Sequence, residues 1–300
     1  MYDWIIRAGT IIDGSGAAGQ TGDVAVRDGR IVAVGGRISG AARETIDASG
    51  AIVTPAWVDI HTHYDGQVTW DSAMDPSASH GVGTIVMGNC GVGFAPVRPD
   101  GHRELIDLME GVEDIPGTAL YEGMPWGAWE SYPEYLDYLA GRHYALDVAS
   151  LIAHGAVRNY VMGERGRSNQ AATEGDLEAM GRIVEAALRA GAVGFSTSRI
   201  LGHRSIQGEP VPGTFANDAE VMIIAQALQR AGSGVSQIIP ASTLGAGSAE
   251  ALEHSSLEAE VDLITRVSRA SGRPATFTLF QVDAWSGKWR DVIDRVRAAN

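Results

Sequence analysis

Apolar residues recur along this chain in two different rhythms, and the change from one to the other divides it. Up to residue 53 they come in short alternating runs broken by Gly and Asp: Trp4 to Arg7, Thr10 to Ile12, Asp23 to Arg27, Arg30 to Val34 and Glu44 to Asp47. Period-two runs bounded by turn formers predict strands. Between the third and fourth lies Asp28-Gly29, which predicts a two-residue hairpin because both central positions of that turn need positive φ. Residues 1–53 are therefore expected to form a small β-structure packed beside the main domain.

From Ala51 onward the pattern becomes apolar strand, loop and amphipathic helix, repeated. Strands are predicted over 52–61, 83–89, 147–153, 192–197, 235–239 and 275–281. Thr173 with Asp176 forms a capping box, after which Leu177, Met180, Val184 and Leu188 keep helical spacing until Gly191. Asn217 with Glu220 opens a second helix, whose inward residues are Val221, Ile224 and Leu228. A third runs through Leu257, Val261, Ile264 and Val267 to Gly272, and a last one is expected over 286–299, with Trp289, Val292, Ile293 and Val296 on one side. Residues 99–144 read as a long insertion between the second and third strands, of the kind that is usually functional. Strands alternating with helices imply a parallel sheet. No Gly-x-Gly-x-x-Gly follows the first strand, which argues against a dinucleotide-binding fold. The better fit for 54–300 is a TIM-type (β/α) barrel, in which functional groups sit at the carboxyl ends of strands. His61, His63, Cys90, His154 and Ser196 fall there.

Candidate chemistry centres on Pro55 to Asp65, an apolar run ending in His61-Thr62-His63. Residues i and i+2 share a face at a strand end, so the two imidazoles project side by side as a chelating pair suited to zinc. Composition narrows the partners. A net charge of −14 over 300 residues disfavours nucleic acid, whose binding rests on Lys and Arg. Cys90 is the single cysteine, so no internal disulfide forms. With no basic segment followed by an apolar core at the start and no membrane-length apolar run, a cytoplasmic location without membrane association is expected. Glu113-Asp114 reads as a solvated turn, since adjacent side chains diverge. Trp126, Trp129, Tyr132, Tyr135 and Tyr138 read as packing for the insertion in preference to an acyl pocket.

The N-terminal strands flowing into His-Thr-His-Tyr-Asp, then Gly88-Asn89-Cys90-Gly91-Val92-Gly93 with Pro96-Val97-Arg98-Pro99, and later Gly191 to Thr197, resemble the amidohydrolase superfamily. Within it the chain looks like the N-acyl-D-amino-acid deacylase branch. That resemblance implies a metal-dependent barrel with a small β-sandwich portion built from residues 1–53, one or two zinc ions, and hydrolysis of the amide of a small N-acyl amino acid. By position it makes His61, His63 and Cys90 the metal ligands. Related enzymes often bridge two metals with a carbamylated lysine; here the only lysine is Lys288, and a soft thiolate can fill that place.

The family's histidines on strands five and six are replaced by the region of Gln237 and Gln281, leaving one metal or two open. His154 and His203 stand as substitutes, as structural residues or as substrate contacts. The substrate carboxylate needs a fixed cation, and Arg199 and Arg158 follow strands four and three. Six strand-helix units are legible where a closed barrel has eight, so the barrel is expected to be incomplete. The catalytic Asp that the resemblance implies is expected beyond Asn300, with this chain as the N-terminal part of a longer protein. Two other readings stay open: a cyclic amide hydrolase of the dihydroorotase or hydantoinase type, and a non-catalytic relative acting as a binding or structural protein. An oligomer is compatible with all three.

Overall fold

The computed structural model describes residues 1–241, 255–281 and 287–299, and divides the chain into two compact units between Trp57 and Val58. The first unit is one sheet. Strands β1 (Tyr2–Ile11), β2 (Gln20–Arg27), β3 (Arg30–Val34) and β4 (Ala42–Asp47) lie in the order β3-β2-β1-β4, and β5 (Ile52–Val53) also pairs with β1. Two runs expected as separate strands are one: β1 carries an irregularity between Ile6 and Gly9, where Ala8 takes φ 59°. A bulge interrupts alternation without ending the strand. The Asp28-Gly29 turn forms as its residues dictate, with φ of 52° and 69° between antiparallel β2 and β3.

The second unit is built on β6 (Trp57–Asp59), β7 (Val82–Met87), β8 (Asp147–Ala153), β9 (Gly194–Ser198), β10 (Val235–Ile239) and β11 (Ala275–Phe277). They lie side by side in sequence order, and the pairings from β7 through β11 are parallel. One-step parallel crossovers in a single direction are how a β/α barrel is wound, and with six strands among the described residues the barrel is incomplete. The run 52–61 is not one strand. Its ends belong to different sheets, β5 and β6, and Pro55 between them has no N–H to offer a ladder.

The insertion is also more ordered than its loop-like sequence suggests. It folds as α1 (His102–Glu113), α2 (Gly117–Gly123) and α3 (Tyr132–Ala140), the last opened by a Ser131–Glu134 capping box. After β8 come α4 (His154–Met162), α5 (Glu164–Arg167) and α6 (Glu174–Ala190). Thr173 caps α6 as its spacing with Asp176 requires, and Met180, Val184 and Leu188 are buried. Helix α7 (Asp218–Ala231) is capped by Asn217, and α8 (Leu257–Ser271) ends at left-handed Gly272. Helix α9 is Lys288–Ala299; the expected start at Ser286 lies outside the described residues. Ile85, Met87 and Ile152 from the strands meet Met180 and Val184 in one core cluster, each such burial stabilising by about 1.5–3 kcal/mol. Strand β9 is buried throughout although it carries Ser196, Thr197 and Ser198. Those hydroxyls serve the turn described next. Among the described residues no helix is long and apolar enough to cross a membrane.

Candidate metal centre

His61 and His63 leave the end of β6. Between them Thr62 is pinned to β7, its N–H and Oγ1 both donating to the Val86 carbonyl at 3.0 and 2.9 Å. The two imidazole rings come to 5.4 Å between centroids. Cys90 arrives from the end of β7 on a turn that only particular residues can make. Gly88, Cys90 and Gly91 have φ of 80°, 56° and 71°, and a Cβ on Gly88 would stand 2.1 Å from the Leu151 carbonyl oxygen. Three side chains grip this turn. Asp65 Oδ2 accepts the Gly88 N–H at 3.1 Å, Gln237 Oε1 accepts the Cys90 N–H at 3.1 Å, and Ser196 Oγ accepts the Gly91 N–H at 3.1 Å while donating to the Gly88 carbonyl.

These supports place three donor atoms within 4.8 Å of one another: His61 Nε2, His63 Nε2 and Cys90 Sγ. The sulfur is 3.2 Å from His61 Nε2 and 3.6 Å from His63 Nε2. A tetrahedral zinc with Zn–N of about 2.05 Å and Zn–S of about 2.3 Å sets its nitrogen and sulfur ligands about 3.5 Å apart. The sulfur-to-nitrogen separations and the donor chemistry therefore suit a zinc ion, with the widest pair of donors, within 4.8 Å, drawing closer on binding.

Burial sets the charge of these groups in the metal-free chain. Burial, reinforced by His61 and His203, pushes His63 down to about 3, and burial lowers His61 against the pull of Asp59, so both rings are neutral. Burial, with Glu113 and Asp65 adding to it, pushes the Cys90 thiol well up. Asp65 is raised to about 7 by burial, against its hydrogen bond from Gly88. Glu113 is raised to about 7 by burial and by Asp65. A pocket of acid groups that resist ionisation is one whose charge balance a divalent cation reverses.

Glu113 corrects the sequence reading. It is not in a solvated turn: its side chain is 19% exposed and its Oε1 lies 3.2 Å from His63 Nε2. Adjacent side chains do diverge here, since Asp114 is the left-handed cap that ends α1. A signal for Glu113 was present. It falls four and eight residues after Met109 and Leu105, on the buried stripe of α1.

Other predicted residues are placed differently. Arg158, 2% exposed, gives its guanidinium to Glu220 and to the Gln170 carbonyl. Arg199, 6% exposed, is bidentate to Glu260 at 2.7 and 3.2 Å and also donates to the Ala216 carbonyl. Neither cation is available to a substrate carboxylate, because each is already matched by a buried one. His154 is likewise enclosed, with Nδ1 2.8 Å from Thr197 Oγ1 and Nε2 2.8 Å from Glu220 Oε1. His203 is close enough to His61 and His63 to act on both electrostatically. Its Nδ1 is 2.9 Å from Ser198 Oγ, and burial together with His61 lowers it to about 4. Gln237 holds the ligand turn, and Gln281 lies exposed past the end of β11. The aromatic residues pack the insertion down: Trp129, Tyr132 and Tyr135 are buried in mutual ring contact, and Tyr135 donates to the Asp65 carbonyl at 2.9 Å.

Comparison with known proteins gives this geometry a lineage. Residues 44–296 match the amidohydrolase family. A D-aminoacylase of Alcaligenes xylosoxydans xylosoxydans is 35% identical over 196 residues, which are 65% of this chain and 37% of that protein. A solved D-aminoacylase structure, described as having a binuclear metal centre with one-metal activation and second-metal attenuation, superposes with TM-score 0.76 and 27% identity over 100% of this chain and 56% of its own. The N-acyl-D-glutamate deacylase of Bordetella bronchiseptica, solved with zinc and a phosphonate mimic of the tetrahedral intermediate, gives 0.74 and 27% over 99% and 56%. The chain thus spans roughly a third to a half of the length of these relatives. With the barrel winding, the paired histidines and the cysteine turn all in place, the chain belongs to the amidohydrolase family, in its D-aminoacylase-like branch.

Proposed function

We propose that this chain provides the zinc-binding side of an active site that hydrolyses the amide of small N-acyl amino acids, N-acyl-D-amino acids first among them. The observation that carries this reading is the convergence of His61 Nε2, His63 Nε2 and Cys90 Sγ at zinc-ligand spacing. When bound there, zinc polarises an amide carbonyl and makes water a nucleophile near neutral pH. The chain's own residues supply the rest of the arrangement. Two neutral imidazoles and the sulfur hold the ion, while Asp65, Ser196 and Gln237 fix the turn that aims the sulfur. His203, neutral and oriented by Ser198, is the residue assigned to substrate contact in this reading. Support for a linear N-acyl substrate comes from the relatives, which are named as deacylases of D-amino acid derivatives. A single strongly held ion suits the donors present, because Gln237 is engaged with the Cys90 N–H.

The test is zinc stoichiometry of the chain by elemental analysis, together with hydrolysis, by a polypeptide in which the same residues sit in a closed barrel, of a panel of N-acetyl-D-amino acids, their L-enantiomers and hydantoins. One equivalent of zinc with selective turnover of the D-compounds, both abolished by His61→Ala, is expected. Absence of bound zinc overturns the metal reading. Zinc without turnover of any panel member overturns the enzymatic one.

A further inference from the structure

We propose that Glu113 is a fourth protein ligand of this metal centre, a carboxylate delivered by the insertion between β7 and β8, in a five-coordinate site whose remaining position is left to water. The inference rests on the zinc reading above and adds to it a residue outside the two strand ends that supply the other donors. Glu113 Oε1 stands 3.2 Å from His63 Nε2, the same nitrogen that lies 3.6 Å from Cys90 Sγ. In a five-coordinate zinc site with Zn–N and Zn–O both near 2.05 Å, neighbouring nitrogen and oxygen ligands stand about 2.9–3.5 Å apart. The observed separation lies within that range; Glu113 stands outside the three donors that lie within 4.8 Å of one another, so its carboxylate turns towards the ion on binding. Among the described residues Glu113 is the carboxylate paired with either ligating histidine. Asp59 and Asp65 are nearby in sequence, but each directs one oxygen to a backbone N–H, of His61 and Gly88, and among the described residues neither pairs with a ligating imidazole.

Charge gives the same answer. Two neutral imidazoles and one thiolate leave a zinc centre with one positive charge, in a pocket where His63 is 16% exposed and Cys90 is buried. A carboxylate brings the sum to zero, the arrangement least costly to bury. The placement is built into the helix. Glu113 continues the stripe of Leu105 and Met109, and left-handed Asp114 stops α1 directly after it, so its position follows from the packing of the helix.

The experiment loads the whole polypeptide with Zn2+ or Co2+ and compares it with Glu113→Gln. Zinc affinity, measured by competition with a chromophoric chelator, is expected to fall at least about 100-fold. In the cobalt form the sulfur charge-transfer band should persist while the d–d bands change, since Cys90 remains and one oxygen donor is lost. Affinity within tenfold and superposable cobalt bands would overturn the proposal and leave Glu113 as a simple hydrogen-bond partner of His63. A crystal structure of the zinc-loaded wild type decides independently of whether the variant folds. It should place a Glu113 oxygen about 2.0–2.2 Å from the ion. Zinc held by His61, His63 and Cys90 with Glu113 beyond about 3 Å sinks this inference alone, whereas failure of the wild type to take up zinc sinks the functional reading as well.

Discussion

Replacing Glu220 by Gln should destabilise the barrel unit by about 3–5 kcal/mol at pH 7, and the loss should vanish in acid. Glu220 is 1% exposed and accepts from both Arg158 and His154, which are equally enclosed. Removing one member of a buried ion pair leaves the other charge without compensation, at about 3–5 kcal/mol. The carboxyl's own acidity supplies a second route to the magnitude. Burial pushes it up, but His154 and Arg158 outweigh that and hold it at about 2, against 4.5 for a free glutamate. The difference corresponds to about 3 kcal/mol. Because the folded-state value is depressed, this stabilisation is present in full above the unfolded pKa and is lost as pH falls from about 5 through 2. Urea unfolding of wild type and Glu220→Gln at a series of pH values, read from the midpoint at constant slope, measures the gap. A deficit below about 1 kcal/mol at pH 7, or one that stays constant down to pH 2, would refute the argument and return Arg158 to the list of cations available for substrate.

Three further outcomes follow from particular contacts. Cys90→Ser should lower zinc affinity by at least about 100-fold and abolish the sulfur charge-transfer band of the cobalt form, since a hydroxyl is a poor substitute for thiolate; a retained band would dismiss the sulfur as a ligand. Gly88→Ala should cost at least about 2 kcal/mol, because a methyl would meet the Leu151 carbonyl on a left-handed residue; thermal melting checks it, and an unchanged midpoint would show that the turn is held differently. Thr173→Ala should remove about 1 kcal/mol by deleting one half of the α6 capping box, measured by the same melt with Thr173→Ser as the variant that restores it.

The features readable in the sequence are those fixed by neighbours along the chain. The Asp28-Gly29 turn, the Thr173 and Asn217 caps and the shared projection of His61 and His63 each depend on a few consecutive residues, and each is found. Pairings across tens of residues were not legible. Arg158 and Arg199 look like free cations after a strand until Glu220 and Glu260 arrive from α7 and α8, 62 and 61 residues later. Gln237 looks like a lost ligand until the Cys90 N–H is seen resting on it. Glu113 was an intermediate case: helical periodicity marked it as inward-facing, and only tertiary packing shows what it faces.

The left-handed backbone at Cys90 says something about what can replace it. Glycine would adopt φ 56° without the steric cost of about 1 kcal/mol or more that any residue bearing a Cβ carries there. On conformational grounds alone the chain would be better off with a third glycine between Gly88 and Gly91. Keeping a side chain at that point means accepting a less comfortable main chain in return for an atom no glycine has, so metal-free Cys90→Gly is expected to be at least as stable as metal-free Cys90→Ala, and the wild type to be distinguished by what its sulfur can hold.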